Sequence, residues 1–136
     1  IGRRRCGVLL GGWHIMSISH RVLCYGGRDF NDYDFVTQRL DELRAQIGDF
    51  AVIHGAAKGA DRLAALWGKG RGLPVIEVAA NWVMHGKAAG AIRNGWMLDF
   101  CHPTYAVAFP GGNGTADMTR RCEARGITIW HPHIYR

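Results

Sequence analysis

The sequence predicts an α/β fold: a Rossmann-like three-layer sandwich with a mostly parallel five-stranded sheet and helices on both faces. Three observations carry this expectation. Apolar runs alternate with helix-like segments along most of the chain. The runs lack polar alternation, as strands covered on both faces do. Three of them end in glycine-bearing turns, which an open parallel sheet gathers at the carboxyl edge of its strands.

The elements follow in order. A strand is expected near 21–26, then a helix over 33–47, where Asn31 or Asp32 supplies the capping signal and Phe35, Val36, Leu40, Leu43 and Ile47 recur at helical spacing. A strand at 50–54 and a helix at 59–71 come next, closed by Gly72-Leu73-Pro74. The strand at 74–79 leads into an irregular link between 80 and 90, a length that in compact domains is often functional. A helix over 88–101, a strand over 104–109, a helix over 115–126 ended by Gly126, and a strand over 127–130 complete the series. Right-handed crossovers then place strands one and four at the centre, with their glycine turns facing each other across a crevice.

Those turns are the chemically informative part. Pro110-Gly111-Gly112-Asn113-Gly114-Thr115 joins an apolar strand to a helix. Glycines leave no Cβ in the way, so successive backbone N–H groups can converge on an anion. The helix adds its positive N-terminal end, with Thr115 placed to cap it or to bond a phosphate oxygen. Gly26-Gly27-Arg28-Asp29 and His54-Gly55-Ala56-Ala57-Lys58-Gly59-Ala60-Asp61 follow strands in the same way. Three loops on one edge make one site, and a phosphate-bearing small molecule is its expected ligand.

Composition bounds the alternatives. At 136 residues the chain is long enough for one domain with a full core, and 48% of it is apolar. The formal charge is +6, but half of it comes from Arg3, Arg4 and Arg5, so nucleic acid is only weakly indicated. Cys6, Cys24, Cys101 and Cys122 form no CxxC pair and read as reduced thiols of a cytoplasmic protein. His131-Pro132-His133 lacks a third ligand at a metal-site spacing, so no metal and no cofactor is expected. Residues 1–15 mimic a signal peptide in part, but Met16 stands immediately before the first convincing strand. They are read as upstream or expression-derived sequence, with the domain over 16–136. No run approaches the roughly 20 apolar residues of a membrane helix.

Val22–Phe30, His54–Asp61, Ala89–Asn94 and Pro110–Met118, taken in order, give the chain a specific resemblance. It resembles the YspA/YpsA-related branch of the SLOG superfamily over residues 21–132. That superfamily also holds the cytokinin-activating phosphoribohydrolases, known as "lysine decarboxylase-like" proteins, and the DNA-processing protein DprA. The resemblance implies a Rossmann-like fold and a site for nucleotides or nucleotide-derived ligands such as ADP-ribose or NAD-related molecules. The phosphoribohydrolase relatives carry Pro-Gly-Gly-x-Gly-Thr-x-x-Glu, whose carboxylate helps stabilise the oxocarbenium-like charge as the N-glycosidic bond breaks. Here that position is Met118, and Asp117 lies about 100° away around the helix.

The expected ligand-binding residues are therefore Gly26, Gly27, Arg28, Asp29, Gly55, Lys58, Gly59, Asp61, Arg93, Asn94, Pro110, Gly111, Gly112, Gly114 and Thr115. Arg28 could hold a phosphate bidentately and Asp29 could accept a ribose hydroxyl, while Asp61 could equally serve only as a helix cap. Arg93 is favoured as a phosphate partner chiefly by the resemblance. Trp82, His85 and Lys87 in the long link could form a lid that stacks a base. The leading expectation is a binding module or sensor. The alternatives are an N-glycosidic bond hydrolase acting on nucleotides, with Asp29, His85 or Asp117 as catalytic candidates, and single-stranded DNA binding of the DprA type. Arg120, Arg121 and Arg125 read as a solvated helix face. Exposed apolar helix faces would allow a homodimer or higher homo-oligomer.

Overall fold

The strands pair as they do because their residues are apolar on both faces. In the computed structural model, which describes residues 18–132, β1 (His20–Tyr25), β2 (Phe50–His54), β3 (Val75–Glu77), β4 (Tyr105–Ala108) and β5 (Ile129–Trp130) form one sheet in the order β3-β2-β1-β4-β5. Every pairing is parallel, with Val22 opposite Val52 on one side and Tyr105 on the other. Strands one and four are adjacent, and the order reverses between them. The expectations for residues 1–15, Cys6 and His133 lie outside the described residues.

Helices α1 (Tyr33–Ile47) and α2 (Ala60–Gly70) cover one face, and α4 (Ala89–Cys101) and α5 (Asn113–Ala124) the other. The strand period of two divides the core between them. Val22 and Cys24 pack with Val36, Leu40, Phe50 and Trp67 on the α1/α2 side. Leu23 and Tyr25 pack with Met97, Leu98, Met118 and Cys122 on the α4/α5 side. Trp67 is fully buried and stacked on Phe50 at 5.5 Å, and its indole N–H donates to Asp41 at 2.9 Å. Cys24, Cys101 and Cys122 are free thiols, and burial pushes the pKa of each upward.

Helix ends follow the sequence signals. Asp32 caps α1 by accepting from the Phe35 amide at 3.0 Å. Gly72 and Gly126, both at φ +70°, close α2 and α5, and the Leu73 and Ile127 amides return to Gly68 and Cys122 at 3.0 Å. Three elements and the long link differ most from expectation. β3 and β5 are shorter, because each edge strand pairs on one side only. α5 starts at Asn113, two residues early, since Gly112 itself is the N-cap. The long link is structured: α3 (Trp82–His85) and a 3₁₀ turn over Gly86–Ala88 lead directly into α4.

Candidate functional site

The glycine turns after β1, β2 and β4 meet at the carboxyl edge of the sheet because backbone approaches backbone there. The Gly27 amide donates to the Pro110 carbonyl at 2.7 Å, and the Gly27 carbonyl accepts from the Ala60 amide at 3.1 Å. Gly59 has φ +78°, and a Cβ on it would run into the Gly27 and Arg28 carbonyls. These contacts tie the three turns into the rim of a cleft of about 920 Å³.

The cleft is lined by Gly26, Gly27, Arg28, Gly55, Lys58, Asp61, Arg93, Asn94, Gly112, Gly114 and Thr115 from among the expected site residues. Asp29, Gly59, Pro110 and Gly111 stand outside the lining, and the last three act as its backbone supports. Thr115 caps nothing. Its Oγ1 turns back to where a Cβ on Gly111 would sit, and no side chain caps α5. By helix geometry the first-turn amides of α5 have no partner within the helix, and Gly112, Asn113, Gly114 and Thr115 all line the cleft.

A polar chain crosses the cleft floor. Asp61, 4% exposed, accepts from the Gly55 amide at 2.8 Å and also from Ala57. The N-cap position of α2 is Gly59, and the Asp61 carboxylate holds the loop before the helix while also accepting from its own amide in the helix's first turn. Burial pushes its pKa up to about 6, against the lowering effect of those amides and of the nearby Arg93 guanidinium. Arg93 donates Nη1 to the Gly55 carbonyl and Nε to Asn94 Oδ1 at 3.0 Å. Asn94 passes the chain on, donating Nδ2 to Asp117 at 3.0 Å, and Arg121 donates Nε to the same carboxylate oxygen at 2.8 Å.

Asp117 is thereby held by both Asn94 and Arg121. Partial burial raises its pKa, but the bonds from Asn94 and Arg121 outweigh that and hold it below the usual carboxylate value. It does not line the cleft, whereas Met118, 1% exposed, does. His85 also lies away from the lining, its ring edge-on to Trp96 at 5.8 Å. None of the three acid–base candidates, Asp29, His85 and Asp117, therefore lines the cleft; its one acidic side chain is Asp61. Of the expected lid, Trp82 lines the cleft and Lys87 does not.

Loop 55–57 carries local strain. Ala56 sits at φ +61°, a left-handed conformation unusual for alanine, and its amide donates to His54 Nδ1 at 3.0 Å. His54 is buried, which lowers its pKa, and its Nε2 stands 3.7 Å from Glu77. An Nδ1 that accepts puts the proton of the neutral ring on Nε2, toward that carboxylate.

Residues outside the sequence expectation also line the cleft, among them Tyr25, Ala57, Arg62, Met97 and Asn113. Arg62 is the chemically significant one. Its only signal was its place beside Asp61 at the start of a helix, where an exposed cation reads as solvated surface. Among the described residues no group of three or more His, Cys, Asp or Glu side chains is placed to hold a metal ion. No helix among them is long and apolar enough to cross a membrane.

Fold and cleft together define a Rossmann-like α/β protein with a cleft at the switch point of a parallel sheet. The family model of the YspA, cpYpsA-related SLOG family matches residues 20–85, from β1 through α3. The chain is also 36% identical over 121 residues to the Gene 61 protein of Mycobacterium phage D29, a match covering 80% of this chain and 93% of that protein. The chain belongs to the YspA, cpYpsA-related SLOG family.

Proposed function

We propose that the protein binds a nucleotide or nucleotide-derived ligand, of the AMP, ADP-ribose or NAD-related kind, in this cleft and holds it without cleaving it. The observation that carries this reading is a cluster of cations beside the glycine turns. Arg28, Lys58 and Arg62 line the cleft with no acidic partner among the described residues. Arg39, Arg44, Arg71, Arg120, Arg121 and Arg125 each sit 2.8–3.7 Å from a carboxylate. Cations left unpaired beside glycine turns and an uncapped helix start suit a phosphate.

Binding without cleavage is supported by what the cleft holds. Bond breaking at a glycosidic carbon calls for a carboxylate facing the developing positive charge. Met118 occupies the position of the relatives' Glu, and Asp61 is already engaged by the backbone amides of Gly55, Ala57 and Asp61 itself. The arginines of α5 are paired with Asp117 and Asp99, which weighs against that helix as a nucleic-acid face.

Native mass spectrometry with AMP, ADP-ribose and NAD tests the reading. Retention of intact ligand is expected. Release of free base with ribose phosphate would move the protein to the hydrolases, and no retention of any of the three would overturn the reading.

A further inference from the structure

The cleft is chemically two-ended. At the β4 end stand the Gly112–Thr115 amides and, beside them, Arg28 from the turn after β1. At the β3 end Ala79, Ala80, Trp82 and Gly90 bring no charge at all. A ligand that fills the cleft thus meets anion-binding backbone at one end and, at the other, an apolar strip with the Arg93 guanidinium beside it.

Trp82 is the unusual member of the apolar end. Eight large apolar side chains are exposed among the described residues, namely Tyr33, Leu66, Ile76, Trp82, Val83, Met84, Trp96 and Phe100, and Trp82 alone of them lines the cleft. It is 58% exposed. It is also held in place. Asn81 caps its short helix by accepting from the Met84 amide at 3.0 Å, and the 3₁₀ turn fixes the exit into α4. The rim of the indole and Arg93 Nη2 lie 3.6 and 4.0 Å from the point where a Cβ on Gly90 would sit. Indole and guanidinium therefore flank a strip with no side chain beyond a methyl group.

We propose that Trp82 is a stacking platform for the aromatic base of a nucleotide whose phosphate lies against the Gly112–Thr115 turn. This rests on the binding function proposed above and assigns the base end of its ligand to one side chain, so that a sugar phosphate without a base would bind more weakly. An indole face left in water gains free energy when a flat ring covers it, and base–aromatic stacking is tolerant of base identity because every base has a π-face. The small residues at 79, 80 and 90 leave room for a planar ring beside the indole.

The test is isothermal titration of the full chain and its Trp82→Ala and Trp82→Phe variants with two probes, AMP and ribose 5-phosphate. Because Trp82 is more than half exposed, both variants should melt with the parent, which thermal denaturation checks. Trp82→Ala is expected to weaken AMP roughly 10- to 100-fold, the range for loss of one stacked base. Trp82→Phe should retain most of the affinity, and ribose 5-phosphate should bind parent and variants alike. Unchanged AMP affinity in Trp82→Ala would overturn the stacking role while leaving the phosphate site intact, and equal weakening of both probes would overturn it by showing that the substitution acts on the phosphate end. So would a parent protein that binds ribose 5-phosphate as tightly as AMP. A parent that binds neither would overturn the binding function itself, and the stacking role with it.

Discussion

The Gly27 amide donates to the Pro110 carbonyl at 2.7 Å, and through that bond the turns after β1 and β4 become one wall of the cleft. The approach leaves no room for a side chain. A Cβ on Gly27 would stand 2.8 Å from the Pro110 oxygen and 3.0 Å from the Gly111 Cα, both backbone atoms that cannot rotate aside. Gly27→Ala should therefore push the two turns apart, cost about 1–3 kcal/mol of stability, and weaken AMP binding as well. Gly114 is the control, since a Cβ there meets nothing within 4 Å. Gly114→Ala should hold or raise the parent's urea midpoint, since alanine is favoured over glycine within a helix, and should lose affinity only, because it lines the cleft at the proposed phosphate position.

Arg93 offers a second separation of effects. Its guanidinium bonds the Gly55 carbonyl and Asn94 Oδ1 at once, and its charge lies near the buried Asp61. Arg93→Ala should lower stability by about 1.5–3 kcal/mol, the range for hydrogen bonds involving a charged group. Arg93→Lys keeps the charge but loses the planar fork, so it should recover only part of that loss. Chemical denaturation of both variants checks the order parent, Lys, Ala.

Arg62 tests whether the unpaired cations act together on a ligand. It is exposed and bonds to nothing among the described residues, so Arg62→Glu should leave the melting temperature near the parent's. AMP affinity should fall about three- to tenfold at low salt, and the difference should shrink as salt screens the cleft. Arg120→Glu, at a position 3.7 Å from Asp117 and outside the cleft, should leave affinity unchanged. Equal losses in both variants would mean that overall charge, not the cleft cations, drives binding.

The fold was legible because its signals are local. Val22–Tyr25, Phe50–Ile53 and Ala106–Phe109 are apolar on both faces, and that pattern means a strand between two helix layers. The glycine turns were legible for the same reason. The start of α5 was misplaced because Gly112 caps it with backbone alone, without the hydroxyl or carboxylate that marks most helix starts. Tertiary partners were the hidden part. Asp117 looks like a free acid until α4 brings Asn94 within 3.0 Å, and Asp61 looks like a cap until the chain turns back over it. Arg62 stayed hidden because an exposed arginine carries no pattern of its own.

Asp61 gives the fold a pH dependence whose sign follows from its burial. Its pKa is about 6 in the folded protein, against an ordinary value of 3.8. At pH values below about 4 both folded and unfolded chains hold the proton, and this residue's contribution is fully present. As pH rises toward 6 the unfolded chain releases the proton first, so stability from this group falls, by about 3 kcal/mol once the pH exceeds the folded value. His54, buried beside the same loop with a lowered pKa, acts in the opposite sense, losing stability as falling pH protonates it more readily in the unfolded chain. A difference measurement separates them. Urea denaturation of the parent and of Asp61→Asn at steps between pH 4 and 7 should show the parent losing stability relative to the variant across that interval. Parallel curves would mean that Asp61 titrates in the fold as it does in the unfolded chain, and that the amides of Gly55 and Ala57 offset its burial in full.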